Sequence, residues 1–382
     1  YPTNWETWRW IPASIDRSTP LSVAVQTLIA ELFASDILLN RDPLTDRYDG
    51  LLLGIAAGQQ AEHLQFNART GNTYTDLDEE GQPIDGYIFL NQVRMLTMLS
   101  RFALYADRKD YAGTMTRGNA EGYANQLFNQ IVAQQKRQPD LYQQPAHGLR
   151  ELIEAYSLFA AISDAYKWQL LSLSHLRILT DAMQAKMGAG GMVREANASQ
   201  LRSQADAVVA FAYAYRSTGT AEYKDRGIEA WQGMLRLWDE KAGAFRPSED
   251  EGQFTLTPAD FADGFLAINA AKHIFEQDTG SYYTTLLNTV LQSGIVPAEV
   301  DSHFPTVPDA IENLRAPSFV ARMQYDGSQW HVQDGSFHTG PAMALAAALI
   351  QGAEDEGGDY RIADFGFPRP RDLETADNEN LS

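Results

Sequence analysis

Residues 203–275 read SQADAVVAFAYAYRSTGTAEYKDRGIEAWQGMLRLWDEKAGAFRPSEDEGQFTLTPADFADGFLAINAAKHIF, and their reading decides the fold. Between 207 and 215 every residue is Ala, Val, Phe or Tyr. A helix with that composition has no face for water and must be buried on all sides. Ser217-Thr218-Gly219-Thr220 then supplies a Gly stop and a Thr start. The segment 221–238 has the other pattern. Ile228, Trp231, Met234, Leu235 and Trp238 fall on one stripe, with Lys224, Asp225, Arg226 and Glu229 off it. An inner helix followed by an outer one is a repeating unit, and 258–275 opens the next.

The rest of the chain repeats that unit. Apolar helices are expected at 21–39, 86–105 and 147–163, each followed by a more polar partner at 48–65, 110–135 and 166–186. A further outer helix is expected at 281–292. The segment 293–333 reads as a long connection, and 334–351 as a closing small-residue helix. Tyr48, Tyr111, Tyr166, Tyr223 and Tyr283 recur just after each inner-to-outer turn, at intervals of 63, 55, 57 and 60 residues. That interval suits two helices and two loops. The predicted architecture is all-α, an (α/α)6 toroid of six helical hairpins over residues 21–351. An aromatic arm (1–20) precedes it and an acidic tail (352–382) follows.

Two segments carry a family resemblance. Asp78-Glu79-Glu80-Gly81-Gln82-Pro83, followed by Asn91-Gln92-Val93-Arg94 and Phe102-Ala103-Leu104-Tyr105, resembles the D-x-x-G-x-P loop and Q-x-R helix of the N-acylglucosamine 2-epimerase superfamily. Residues 205–245, with their Thr-Gly turn and WDEKAGAF end, are similar to the toroid domains of that group and of related six-hairpin glycosidases. The resemblance implies the toroid and a sugar-active site. The epimerases use histidines on inner helices, and no matching pair is assigned in this chain.

Composition narrows the function. The chain has 382 residues, 44% of them hydrophobic, which is enough for a large core. It has no cysteine, which excludes disulfides, thiol nucleophiles and cysteine-held clusters. A net charge of −20 opposes nucleic acid and anionic membranes as partners. No apolar run is long enough for a membrane span. Tyr1 is not an initiator Met, which fits loss of an export signal, and an extracytoplasmic location, secreted or periplasmic, is the expectation. No nucleotide loop or nucleophile elbow occurs, and no cofactor is expected.

In a hairpin toroid the long loops wall a cleft over the inner-helix starts, and side chains near those starts are the candidates. Asp206 and Asp263 lie one repeat apart, each near the start of an inner helix. A carboxylate pair across a mouth suits glycoside hydrolysis as acid and base, and helix capping is the structural alternative. Trp330, His331, Asp334 and His338 form a second cluster, with Asp334 and His338 as further catalytic candidates and Trp330 as a stacking platform. His331 and His338 are seven apart, not at zinc-pair spacing, and no metal is expected. Arg194, Gln204, Tyr87 and His147 complete the substrate-binding set. The acidic loop 76–81 resembles the opening of a calcium loop, against the alternative of a solvated turn. The function expected is carbohydrate-active and hydrolase-like. The alternative is a non-catalytic accessory subunit, docking a protein partner through Trp5, Trp8 and Trp10.

Overall fold

The computed structural model describes residues 21–39, 53–55, 57–58, 89–106, 115–195, 198–249, 252–293, 319–337, 339–352 and 366–370. The arm at 1–20, the loop at 76–81, and Tyr48 and Tyr111 lie outside them.

The helices are α1 (Leu21–Leu39), α2 (Phe89–Ala106), α3 (Arg117–Arg137), α4 (Ala146–Ile162), α5 (Tyr166–Ala185), α6 (Gln200–Thr218), α7 (Ala221–Leu235), α8 (Pro258–His273), α9 (Tyr282–Gln292) and α10 (Thr339–Gly352). Their contacts define two shells. Helix α1 packs on α2, α2 on α4, α4 on α6, α6 on α8, α8 on α10, and α10 returns to α1. These six form a closed inner ring. Outside it α3 covers α2, α5 covers α4, α7 covers α6 and α9 covers α8. The architecture is the (α/α)6 toroid. Tyr166, Tyr223 and Tyr283 each stand in the first turn of an outer helix, in the phase that the repeat predicts.

Helix α6 shows why the sequence takes this form. Its residues from Leu201 to Ala214 are buried, apart from Arg202. Ser199 caps its start by accepting from the Arg202 N–H at 3.2 Å. Gly219 ends it at φ 66°, a left-handed conformation that suits glycine, with its N–H bonded to the Tyr215 carbonyl. Helix α8 opens with Pro258 and a capping box, in which Thr257 and Asp260 satisfy each other's backbone N–H.

Helix α7 ends at Leu235, three residues short of the expected Trp238. Trp238–Asp239 (β1) instead pairs with Ala244–Phe245 (β2) in a small hairpin. Asp239 Oδ1 accepts from the N–H groups of Lys241 and Ala242, and Gly243 turns the chain at φ 64°. Local side-chain bonds here outcompete another helical turn.

The larger departure is near the end of the chain. Part of the expected connection and the start of the expected helix form two strands, Val320–Tyr325 (β4) and Trp330–Phe337 (β5), which join Phe254–Leu256 (β3), from the loop before α8, in a three-stranded antiparallel sheet. Asp326-Gly327 makes the turn, with Gly327 at φ 96°. The closing helix therefore begins at Thr339, not at residue 334.

The tail also departs from a free arm. Gly366, Phe367 and Pro368 are buried. Phe367 packs on the Tyr213 ring at 4.7 Å, and its carbonyl accepts from Arg216 Nε at 2.8 Å. Both contacts are made to α6, so this segment docks on the inner ring.

Helices of the two shells approach closely where glycine permits. A Cβ on Gly227 would lie 2.1 Å from the Phe275 ring, whereas one on Gly122, inside α3, would meet nothing within 4 Å. Gly227→Ala is expected to destabilise by about 1–3 kcal/mol through overpacking. Gly122→Ala should stabilise by about 0.5–1 kcal/mol through helix propensity. Denaturant unfolding of both variants checks the opposite signs.

Candidate functional site

Charged residues enter the inner ring in register. Arg94 and Arg101 lie seven apart on α2, His147 and Glu154 seven apart on α4, and Asp206 and Tyr213 seven apart on α6. Seven residues are two helical turns, roughly 10 Å. Each helix thus carries one polar group near its N-terminal mouth and one deeper inside.

At the mouth the groups form a chain. Arg94 Nη1 donates to Asn91 Oδ1 and its Nε to Glu151 Oε1, both at 2.9 Å. Glu151 Oε1 lies 3.4 Å from His147 Nε2. His147 Nδ1 lies 3.2 and 3.3 Å from the two Asp206 oxygens. Burial alone would depress the His147 pKa, but the Asp206 carboxylate, helped by Glu151, raises it to about 9. Burial would likewise raise Glu151, but His147 and Arg94 hold it at about 2. The imidazole is therefore a cation at neutral pH, clamped between two carboxylates.

Asp263 completes the mouth. It sits on α8, the next inner helix after the one that carries Asp206. Burial raises its pKa first and the charge of Asp206 second, to about 7 against Arg202 and His147, which lower it. Neither carboxylate caps a helix: Ser199 caps α6, and Thr257 with Asp260 caps α8.

The deeper layer is an ion-pair network. Arg101 Nη2 meets Glu154 Oε1 at 2.8 Å, and Arg150 Nη2 meets Glu154 Oε2 at 3.1 Å. Tyr213 Oη donates to the Gly366 carbonyl at 3.0 Å and lies 3.2 Å from Glu154. Burial pushes the Tyr213 pKa up, so the phenol stays neutral. Burial would raise Glu154 too, but the Arg150 and Arg101 charges hold it below the usual carboxylate range. The tail carbonyl thus closes the network from the side away from the mouth.

A cleft of about 420 Å³ opens at the mouth, lined in part by His147, Lys186, Glu195, Arg202, Ser203 and Asp206. Glu195 holds the first N–H of α4, that of Ala146, at 3.0 and 3.1 Å and pairs with Lys186 at 2.9 Å. A larger groove of about 500 Å³, bordered by Asp181, Gln184, Glu222 and Arg226, lies between outer helices and away from these groups. Among the described residues no cluster of His, Asp and Glu has the makings of a metal site, and no helix is long and apolar enough to cross a membrane.

The structure brings Asp206, Asp263 and His147 together and separates them from most of the other sequence candidates. Gln204 is fully buried. Its Nε2 donates to the Gly191 and Ala230 carbonyls and its Oε1 accepts from Val193 N–H, so it staples a loop to α7 and has no atom left for substrate. Arg194 lies on the surface, paired with Glu249 at 3.0 Å. Trp330 packs against Phe254, Phe261 and Tyr325 and donates its indole N–H to the Ala242 carbonyl, which anchors the sheet instead of offering a stacking platform. His331 pairs with Asp326 of the adjoining turn at 2.8 Å. Asp334 is exposed on β5, opposite Arg322, and not at a helix start. Tyr87 and the His338 side chain lie outside the described residues.

Sequence reading missed Arg94 as a site residue, along with Arg101, Glu151, Glu154 and Arg202. The signal was present as charges inside otherwise apolar helices, two of them spaced by seven on α2.

No family model and no curated protein sequence matches the chain. Solved structures do. A sugar epimerase from a ruminal bacterium superposes with TM-score 0.62 at 13% identity, over 90% of each chain. A D-mannose isomerase gives 0.57 at 12% identity, over 87% of this chain and 86% of that one. A glycosyl hydrolase family 88 protein from Bacteroides vulgatus gives 0.53 at 14% identity, over 89% and 93%. The protein has the (α/α)6 toroid fold that these sugar epimerases, isomerases and six-hairpin glycosidases have.

Proposed function

We propose that the chain is a carbohydrate-active enzyme that hydrolyses a glycosidic bond by carboxylate acid–base chemistry. The observation that carries this reading is the pair of Asp206 and Asp263 at one mouth, with the pKa of Asp263 pushed up to about 7. A carboxyl raised by burial beside a second carboxyl is suited to the acid role. Asp263 near neutrality still carries a proton to give to the leaving oxygen. Asp206 takes the role of base. As the C–O bond breaks, the Asp263 proton passes to the leaving group. Water adds to the anomeric carbon and its proton goes to Asp206. The nearby His147 cation then holds Asp206 in place without titrating itself.

The same geometry disfavours isomerisation with His147 as the base. An imidazole held at about 9 is already protonated at neutral pH, and it cannot abstract a proton from carbon. The sugar-enzyme names of the fold neighbours support a carbohydrate substrate.

Asp263→Asn and Asp206→Asn should each lower kcat/KM on a cleaved glycan by about 10²–10⁴-fold. Asp263→Asn should lose far less on aryl glycosides, whose leaving groups need no proton. Equal rates for the wild type and both variants across a glycan panel would sink the reading. Wild-type kcat/KM should fall as pH rises through about 7, when Asp263 loses its proton. Stability moves with the same group. A carboxyl whose folded pKa is raised makes the fold lose stability as pH climbs from its unfolded value to about 7. Asp263→Asn should therefore raise Tm at pH 8 more than at pH 4, as read by thermal melts.

A further inference from the structure

In the cleft lining His147, Lys186 and Arg202 stand beside Glu195 and Asp206, in a chain whose net charge is −20. Lys186 and His147 are accounted for by Glu195, Asp206 and Glu151. Arg202 is not. Among the described residues no carboxylate lies within 4.0 Å of its guanidinium, and its Nη2 lies 3.3 Å from His147 Nε2. Arg202 donates there only when the ring is neutral, and Asp206 and Glu151 keep the ring charged. The Asp263 carboxyl feels the Arg202 charge but does not close on it. Beside them Ser203, also lining the cleft, is 1% exposed, and among the described residues its hydroxyl has no hydrogen-bond partner. A buried hydroxyl left unmatched is costly in an isolated chain and useful where a ligand supplies the acceptor.

We infer that Arg202, His147 and Ser203 form an anion-recognition subsite, and that the substrate is an acidic saccharide whose carboxylate or sulfate group docks there. This rests on the reading of the cleft as a glycan site and adds the class of glycan. A planar guanidinium suits a carboxylate or sulfate through two parallel N–H bonds. The Ser203 hydroxyl supplies a third donor. The anion closes on the Arg202 guanidinium, so binding is selective for charge and not only for sugar.

The test is calorimetric binding to the Asp263→Asn protein, which separates recognition from turnover. The ligands are a hexuronate disaccharide, a sulfated disaccharide and the matching neutral disaccharide. At least one acidic ligand should bind ten-fold or more tightly than the neutral one, and which one does so identifies the anion. Adding Arg202→Met should erase most of that preference. Arg202→Lys should keep part of it, and Ser203→Ala should cost several-fold for the acidic ligand only. Arg202 is exposed, and unchanged Tm values will show that the variants fold. Neutral ligand bound as tightly as both acidic ones, or a preference that survives Arg202→Met, would overturn the inference. Selective acidic binding by a protein whose wild type cleaves no glycan would overturn the hydrolase reading alone.

Discussion

A charge inside a closed ring of helices must be neutralised there, and this constraint organises the molecule. Arg101 and Glu154 are both nearly buried, and each relies on the other's charge, with Arg150 as a second partner of Glu154. Arg101 belongs to α2, Glu154 to α4 and Tyr213 to α6, so satisfying the charges sets how three inner helices rotate against one another. The Gly366 carbonyl joins the same network, which fixes a distant part of the chain to the ring. Removing one partner would strand the other in a medium that solvates it poorly, at a cost of about 3–5 kcal/mol.

The mouth of the ring uses the same physics toward a different end. One layer up, the charges are again paired across helices, but the groups are part exposed and the pairing is incomplete. His147 shares its charge between Asp206 and Glu151, and Arg94 backs Glu151 from α2. Asp263 has burial and a like-charged neighbour, offset only in part by the Arg202 and His147 charges, and among the described residues it has no hydrogen bond. A deep layer whose charges are paired across helices gives rigidity, and an upper layer with one unsettled proton gives chemistry. The two layers lie two turns apart on the same helices, so the rigid layer holds the reactive one.

The outer shell is positioned by close backbone approach. Gly191 stands at φ 76°, where a Cβ would lie 2.0 Å from the Glu229 carbonyl oxygen, and a Cβ on Gly233 would come within 2.9 Å of the Gly191 carbonyl. Gln204 locks this contact from the inner side. The loop that carries Glu195 into the cleft is thereby tied to α6 and α7. A residue that reads in sequence as a candidate ligand for sugar is instead the pin that holds the wall of the site.

By itself the sequence determined the helical shells. Periodicity at 3.6 residues, a Gly stop and Ser or Thr starts are local signals, and the difference between a helix apolar all round and one apolar on a stripe already separates inner from outer. The Asp206 and Asp263 positions followed, because nearness to a helix start is a local property. The Asp326-Gly327 turn was also legible as a hairpin signal, but flanking strands that alternate weakly and an adjoining small-residue helix masked it. Only the tertiary structure decided which charges meet. Arg94 with Glu151 and His147 with Asp206 each join residues of different helices, and nothing in one-dimensional spacing records the rotation of one helix against another. The same holds for Gln204, Trp330 and His331, whose donors and acceptors are taken up by partners that folding alone brings near. Residue type sets what a group can bind, but electrostatic and hydrogen-bond energies fall steeply with distance, and distance across a ring belongs to the fold.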